Sequence, residues 1–311
     1  MMNNLSFTYT VFTPTFNREH TISRVYESLV AQTFRDFEWV VVDDGSTDGT
    51  KELIETWQSQ ADFPIVYHYQ KNSGKHIAFN KGVQLARGSL FLAIDSDDAF
   101  TPESLETMLH WWQKIPQQQQ QEFTGVVTLA KYDSGELSGD KFPYEPFDTT
   151  SLDMNHKFKL RGERWGFHRT EVLKEFPFPA DGNVKFVPES IVWDAIARKY
   201  KIRCINETLR IYYQDSGNQI TRDNPKKKSA VKQYFLQILN RETDYYFFDP
   251  LVFAKFAILY VRYSLHAGDL RFLSPSRFTT PMSFVLCFFM TLPGMAFYLM
   301  DILKINLSFR K

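Results

Sequence analysis

The feature that most narrows the fold is a repeated switch of hydrophobic period across the first hundred residues. T-Y-T-V-F-T (8–13) reads as a buried strand, and Ile22, Val25, Tyr26, Leu29 and Val30 then recur at helical spacing. F-E-W-V-V-V-D-D (37–44) is an unbroken β-branched run of the kind parallel strands make when both faces are covered. Ser46, Thr47 and Asp48 are each able to cap the helix that continues K-E-L-I-E-T-W. P-I-V-Y-H-Y (64–69) predicts a third strand, H-I-A-F-N-K-G-V-Q-L-A (76–86) a helix, and S-L-F-L-A-I-D (89–95) a fourth strand. Strand–helix alternation of this kind specifies an α/β chain with a mostly parallel sheet.

In such sheets ligands bind beyond the carboxyl ends of the strands. Thr13-Pro14-Thr15, Asp43-Asp44-Gly45 and Asp95-Ser96-Asp97-Asp98 end three of the strands and should open on one rim. Three aspartates within four positions repel unless a positive charge sits among them. Carboxylates at a strand end make a hard-oxygen site suited to Mg²⁺ or Mn²⁺. The D-x-D pair Asp95 and Asp97 suits an ion shared with a diphosphate, whereas Asp43 and Asp44 suit hydrogen bonds from a ribose or base. Simpler readings compete. Asp97 or Asp98 could cap a helix beginning near Pro102. An EF-hand is excluded because Ala99 removes a ligand position and Phe100 stands where glycine is required. A phosphoacceptor aspartate would leave residues 125–311 unexplained.

Composition adds exclusions. The chain has 311 residues, 36 basic and 36 acidic, so charge gives no case for nucleic acid. Two cysteines make no disulfide framework, and Cys204 reads as a core thiol. The first ten residues lack the basic and apolar regions of a signal peptide, so a cytoplasmic location is expected. P-Q-Q-Q-Q-Q-E (116–122) reads as a surface loop, G-V-V-T-L-A-K-Y (125–132) as a strand, and 133–160 as turn-rich. A helix over 189–200 and a short strand over 201–206 follow, and the chain reads as all-helical from about 226. We therefore expect a catalytic domain over 1–225 and a helical region over 226–311.

Taken together, V-F-T-P-T-F-N-R, S-L-V-A-Q-T-F-R-D-F-E-W-V-V-V-D-D-G-S-T-D-G-T and F-N-K-G-V-Q-L-A-R-G-S-L-F-L-A-I-D-S-D-D resemble the family 2 glycosyltransferases of bacterial surface polysaccharide synthesis. The resemblance covers about residues 8–105, and less tightly 160–215. It implies the GT-A fold and inverting transfer from a nucleotide-diphosphate sugar, usually UDP-linked. It further implies that Pro14, Thr15, Phe16 and Asp44, with Asp43 beside them, bind the nucleoside. Asp97 is implied as the direct metal ligand and Asp95 as its partner, with Lys75 and Asn80 near the donor phosphates. The family's catalytic base is a carboxylate after a variable middle segment, often in a Glu-Asp pair. Here that stretch is F-V-P-E-S-I-V-W-D, so Ser190 replaces the second acid. Glu189 is the expected base and Asp194 the reserve. Five helical residues apart, the two are about 140° apart around an axis, so one faces the donor at most. Asp194 otherwise reads as a solvated helix residue. R-G-E-R-W-G-F-H-R-T-E-V-L (161–173) fits the acceptor side, where Glu163 and Trp165 could line the acceptor and His168 reads as a packed histidine.

Residues 281–300 carry no charge, but Pro293-Gly294 should divide them into pieces too short to span a bilayer. A re-entrant or interfacial helical hairpin over 281–303 is expected, at the inner face of the plasma membrane, where a polyprenyl-linked acceptor would lie. Lys226–Lys228, Lys304, Arg310 and Lys311 are candidate partners for anionic head groups. A packed helical subdomain and an oligomer contact are the alternatives. Two other functions compete with transfer. A sugar-nucleotide nucleotidyltransferase would want a glycine-rich loop after the first strand, which T-P-T-F-N-R-E-H lacks. A non-catalytic scaffold would bind nucleotide without turnover.

Overall fold

The computed structural model describes residues 6–180, 187–214 and 231–303. The chain forms two compact units, Met1–Lys185 with Val192–Gly217, and Phe186–Ile191 with Asn218–Lys311.

The first unit is a nine-stranded sheet with helices on both faces. Its opening half alternates β1 (Phe7–Thr15), α1 (Ser23–Val30), β2 (Phe37–Asp43), α2 (Thr50–Gln60), β3 (Ile65–Tyr69), α3 (Lys75–Leu85) and β4 (Gly88–Ala93). There follow β5 (Ala99–Phe100), α4 (Ser104–Gln113), β6 (Phe123–Tyr132), β7 (Phe147–Thr149), β8 (Arg164–Arg169), α5 (Thr170–Glu175), α6 (Ser190–Ala197) and β9 (Lys201–Tyr212). The strand order is β3-β2-β1-β4-β8-β6-β9-β5, with β7 also on β9. The first four strands run parallel, and β8 joins them antiparallel to β4.

All seven residues of β2 are buried, because β1 and β3 flank it and helices cover both faces. The period of two sorts the core. Tyr9, Val11, Trp39, Val41, Leu90 and Leu92 share a cluster with Val25 and Leu29 of α1, Ile54 of α2 and Met108 of α4. On the other side, Phe12 meets Phe79 of α3 edge-on and stacks on Phe91. Each such side chain taken fully from water contributes about 1.5–3 kcal/mol. Glu38 is buried at the N-terminal end of the strands, where it accepts hydrogen bonds from Thr10 Oγ1 (2.7 Å) and Arg87 Nε (2.8 Å).

β9 runs to Tyr212, well past the strand expected over 201–206. Its pairing with β6 shifts register between Val127 and Leu129, opposite Cys204 and Thr208. That bulge breaks the alternation a sequence reading relies on. The turn-rich stretch 133–160 holds β7 and a single π-helical turn, Asp153–Lys157. Phe142, Phe147 and Met154 form a second small core there with Leu129, Ile202 and Cys204, which is a buried free thiol as expected.

The second unit is helical: α7 (Lys232–Arg241), α8 (Pro250–His266), α9 (Pro281–Phe289) and α10 (Thr291–Ile302). Phe253, Ala257, Tyr260, Val261 and Ser264 line the buried face of α8 at helical spacing. α10 lies close on α8: a Cβ on Gly294 would sit 2.6 Å from Val261 Cβ. Asp301 of α10 accepts from Arg262 Nε of α8 (2.7 Å) and meets His266 Nε2 (2.7 Å). The expected break at Pro293-Gly294 is corrected, since the chain bends by 49° around Met290 instead. Pro293 is the third residue of α10, where its missing N–H has no intrahelical acceptor to lose. Val285, Phe288, Phe289, Leu292, Leu299 and Ile302 are exposed. No single helix among the described residues is long and apolar enough to cross a membrane, although α9 and α10 together pass by length and composition. Lys226–Lys228, Lys304, Arg310 and Lys311 lie outside the described residues.

Candidate functional site

The register of the parallel strands sets one rim. Thr15 at the end of β1 lies opposite Asp43 at the end of β2, and Phe12 lies opposite Ala93 at the end of β4. Beyond β4 the chain turns tightly, with the Asp98 N–H donating to Asp95 O (3.2 Å), and enters β5. β5 pairs antiparallel with the end of β9, which sets Phe100 opposite Arg210.

That pairing delivers a residue the sequence reading missed. Arg210 Nε donates to Asp98 Oδ2 (2.8 Å), and its Nη2 donates both to that oxygen and to Asp95 Oδ2 (3.1 Å). The Tyr213 N–H donates to Asp98 Oδ1 (3.1 Å). Asp98 is fully buried and Arg210 nearly so, so each is the other's compensation for leaving water. Asp98 is therefore an anchor and not the helix cap considered above; Glu103 precedes α4.

Asp95 is gripped from both sides, for Lys75 Nζ at the start of α3 lies 2.8 Å from its Oδ1. Burial alone would push the Asp95 carboxyl up, but Lys75 and Arg210 outweigh it and hold it well below the usual carboxylate range. Burial pushes Asp98 up to about 6 despite Arg210, with Asp95 adding repulsion. Burial would lower the Arg210 guanidinium, and the two aspartates raise it instead. Asp97 differs from both. Its carboxylate has no hydrogen-bond partner among the described residues and faces only Arg18 Nη2, at 3.9 Å. Its backbone carbonyl accepts from Arg24 Nη1 (2.9 Å), and the Arg24 guanidinium lies over the Tyr213 ring. Glu163, exposed just before β8, is close enough to raise the proton affinities of Arg210 and Tyr212.

Among the described residues, no group of three or more His, Cys, Asp or Glu is placed to hold a metal alone. Mg²⁺ and its congeners need only one or two carboxylates when a diphosphate and water complete the shell. Asp97, with its uncommitted oxygens, and Asp95 beside it fit that arrangement.

On the β2 side of the rim, Gly45 takes φ +94°, a conformation glycine adopts without Cβ strain. Asp44 accepts three hydrogen bonds of 2.8 Å: from Gln70 Nε2, Ser73 N–H and Gly74 N–H. Of roughly four acceptor positions on a carboxylate, one remains. Asp43, expected beside the nucleoside, is corrected to a frame residue. It is fully buried, and its oxygens accept from the Ser46 N–H (2.7 Å) and Tyr67 Oη (2.8 Å). At the end of β1, Thr15 is buried with no hydrogen-bond partner for its Oγ1, and Phe16 just beyond the strand is exposed. An orphaned buried hydroxyl at a strand end on the rim is able to hydrogen-bond a bound group or a water.

Two further expectations are overturned. Asn80 spends both ends of its amide on the backbone of Phe178 (2.8 and 2.9 Å), so it pins a loop to α3. Trp165 is not an acceptor-site residue. The alternation of β8 turns it inward, where it packs on Phe100 and donates its indole N–H to Ala93 O (2.7 Å). His168 is packed, as expected: it hydrogen-bonds Thr124 Oγ1 through Nδ1 (2.9 Å) and stacks on Trp193 of α6. Glu189 is exposed in the turn before α6, whereas Asp194, expected as a solvated residue, is buried on that helix.

The family model for glycosyl transferase family 2 matches residues 10–160. Glycosyltransferase alr2836 of Nostoc sp. is 38% identical over 32% of this chain and 30% of its own length. TuaG of Bacillus subtilis, named as a teichuronic acid biosynthesis glycosyltransferase, is 26% identical over 86% of this chain and 98% of its own. Among solved structures, S. aureus TarS in complex with UDP-GlcNAc matches with a TM-score of 0.59 at 18% identity, over 95% of this chain and 81% of that one. The mannosyltransferase PcManGT from Pyrobaculum calidifontis, in complex with GDP-Man and Mn²⁺, matches with a TM-score of 0.52 at 17% identity, over 95% and 84%. These likenesses confirm the fold. With the rim built by β1, β2 and β4 lying inside the matched residues, residues 10–160 are a glycosyltransferase domain of family 2.

Proposed function

We propose that this enzyme transfers a sugar, with inversion, from a nucleotide-diphosphate donor to a saccharide or polyprenyl-linked acceptor in cell-surface polysaccharide synthesis. The observation that carries the reading is the rim itself. Asp97 presents a carboxylate that accepts no hydrogen bond and meets only Arg18 at 3.9 Å, between an Asp95 held by Lys75 and Arg210 and an Asp98 locked on Arg210. UDP-GlcNAc in TarS and GDP-Man with Mn²⁺ in the mannosyltransferase support the donor class, and the name of TuaG supports the pathway class. A UDP-sugar is the first choice.

In this reading residues 1–225 are the catalytic domain. Thr15, with Pro14, Phe16 and the remaining acceptor position of Asp44, receives the nucleoside. Asp97 and Asp95 hold Mg²⁺ or Mn²⁺, which when bound neutralises charge on the leaving diphosphate. Lys75 adds a cation on the same side. Glu189 takes the proton from the acceptor hydroxyl as that oxygen attacks the anomeric carbon opposite the diphosphate, with Asp194 the second choice and Glu163 on the acceptor side. The uncharged, exposed face of α9 and α10 meets lipid at the cytoplasmic surface of the plasma membrane through residues 281–303.

A thermal-shift panel of UDP-, GDP- and dTDP-sugars with and without Mn²⁺ tests the donor site, since a ligand that binds only the folded state raises its melting temperature. A metal-dependent rise with one donor, lost in Asp97→Ala, is expected. No rise with any donor, or an Asp97→Ala variant like wild type, overturns the reading. Glu189→Gln should reduce transfer by about 10²–10⁴-fold and leave donor binding intact; full activity moves the base elsewhere.

A further inference from the structure

The acidic rim holds cations of its own. Three carboxylates, Asp95, Asp97 and Asp98, are met by three cationic side chains, Lys75, Arg210 and Arg18. Arg210 cannot swing away easily. It is 6% exposed, its Nε is fixed on Asp98, and β9 holds its backbone against β5. Lys75 is different, for its side chain is 39% exposed and pairs with Asp95 at its outer edge.

We propose that Arg210 and Lys75 act as built-in counter-ions that keep the rim from retaining a divalent cation by itself, so that metal binds tightly only together with a nucleoside diphosphate. Two positive charges already near Asp95 repel an incoming dication, and the oxygens they occupy are not free for it. A diphosphate brings negative charge that reverses this balance and offers Lys75 another anionic partner. Metal and donor then strengthen each other's binding by the same factor, as linkage requires. Arg210 is a positioning residue here: it sets the charge of the site and fixes Asp95, and it touches neither substrate nor reacting atoms. The inference rests on the metal–donor reading above.

The test is Mn²⁺ binding to the full chain, followed by electron paramagnetic resonance of the free ion, with and without UDP. Wild type should bind Mn²⁺ alone weakly and gain more than about tenfold with UDP. Arg210→Gln should bind Mn²⁺ alone about tenfold more tightly, with the gain from UDP reduced. Arg210→Lys, which keeps the charge, should behave as wild type, a rescue that a purely packing role would not give. Lys75→Gln, at a half-exposed position, should also tighten Mn²⁺ alone, and it carries the test if Arg210→Gln does not fold. Glutamine variants that fold and bind Mn²⁺ alone no more tightly than wild type overturn the inference. A wild-type protein that binds no Mn²⁺ even with UDP overturns the metal–donor reading, and this inference with it. Tight binding of Mn²⁺ alone to wild type overturns the inference only.

Discussion

Asp97 and Asp98 are neighbours of the same type with opposite duties, and the difference lies in what each touches. Asp98 is enclosed and bonded to Arg210 and to the Tyr213 N–H, whereas Asp97 keeps its oxygens for something else. Asp98→Ala leaves a buried guanidinium without its main partner and should cost about 3–5 kcal/mol, measured by urea unfolding. Asp97→Ala should stay within about 0.5 kcal/mol of wild type in the same assay while losing metal-dependent stabilisation by donor. Equal stability losses for the two would contradict the division of roles. The D-x-D and its place at a strand end were legible from residues 90–98. Arg210 was not, because an arginine in a short polar-interrupted segment carries no sign that it will pair with an aspartate 112 positions earlier. Trp165 was misread for a related reason, since R-W-G-F-H-R alternates without saying which face is the core.

At the scale of elements, the parallel half of the sheet was readable because its strands are largely apolar runs and helices separate the first four of them. The antiparallel half was not: β5 has two residues, β7 has three, and β9 is paired through a bulge. His168 on β8 reports on how that half closes. Burial between Thr124 and Trp193 lowers it to about 4, from an ordinary value near 6.5. Between those values the unfolded chain binds a proton that the folded chain does not, so stability should fall as pH drops from about 6.5 toward 4. Urea midpoints at pH 7.5 and 5 check this, and His168→Gln should flatten the dependence. A steeper dependence in that variant would show that other groups dominate. The close approach of α10 to α8 gives a second element-level test. Gly294→Ala places a methyl group where Val261 already sits and should cost about 1–3 kcal/mol, seen as a lower melting temperature.

For the whole molecule, the C-terminal helices carry the least ordinary surface. Residues 281–300 are uncharged, and the one acid that follows, Asp301, is turned inward onto Arg262 and His266. Leu292, 76% exposed, and Phe289 are therefore positions where a charge should leave folding unchanged and weaken lipid binding. Co-sedimentation of the full chain with anionic vesicles should drop several-fold in a Phe289→Asp/Leu292→Asp double variant, with an unchanged melting temperature. Undiminished sedimentation would move the lipid contact elsewhere or remove it. The helical, apolar character of this region was evident from the sequence. The site of its bend was not, because proline in a first helical turn reads like proline at a break.

The three hydrogen bonds received by Asp44 have one more consequence. Two of them come from Ser73 and Gly74, the residues immediately before Lys75, so the carboxylate at the end of β2 sets where α3 begins and where its first side chain starts. The sides of the rim proposed above to receive the nucleoside and the phosphates are thus parts of one bracket, with Asp44 as its bolt. A substitution at Asp44 will loosen Lys75 as well, and a weaker grip on the donor in such a variant measures the bracket and not a single lost contact.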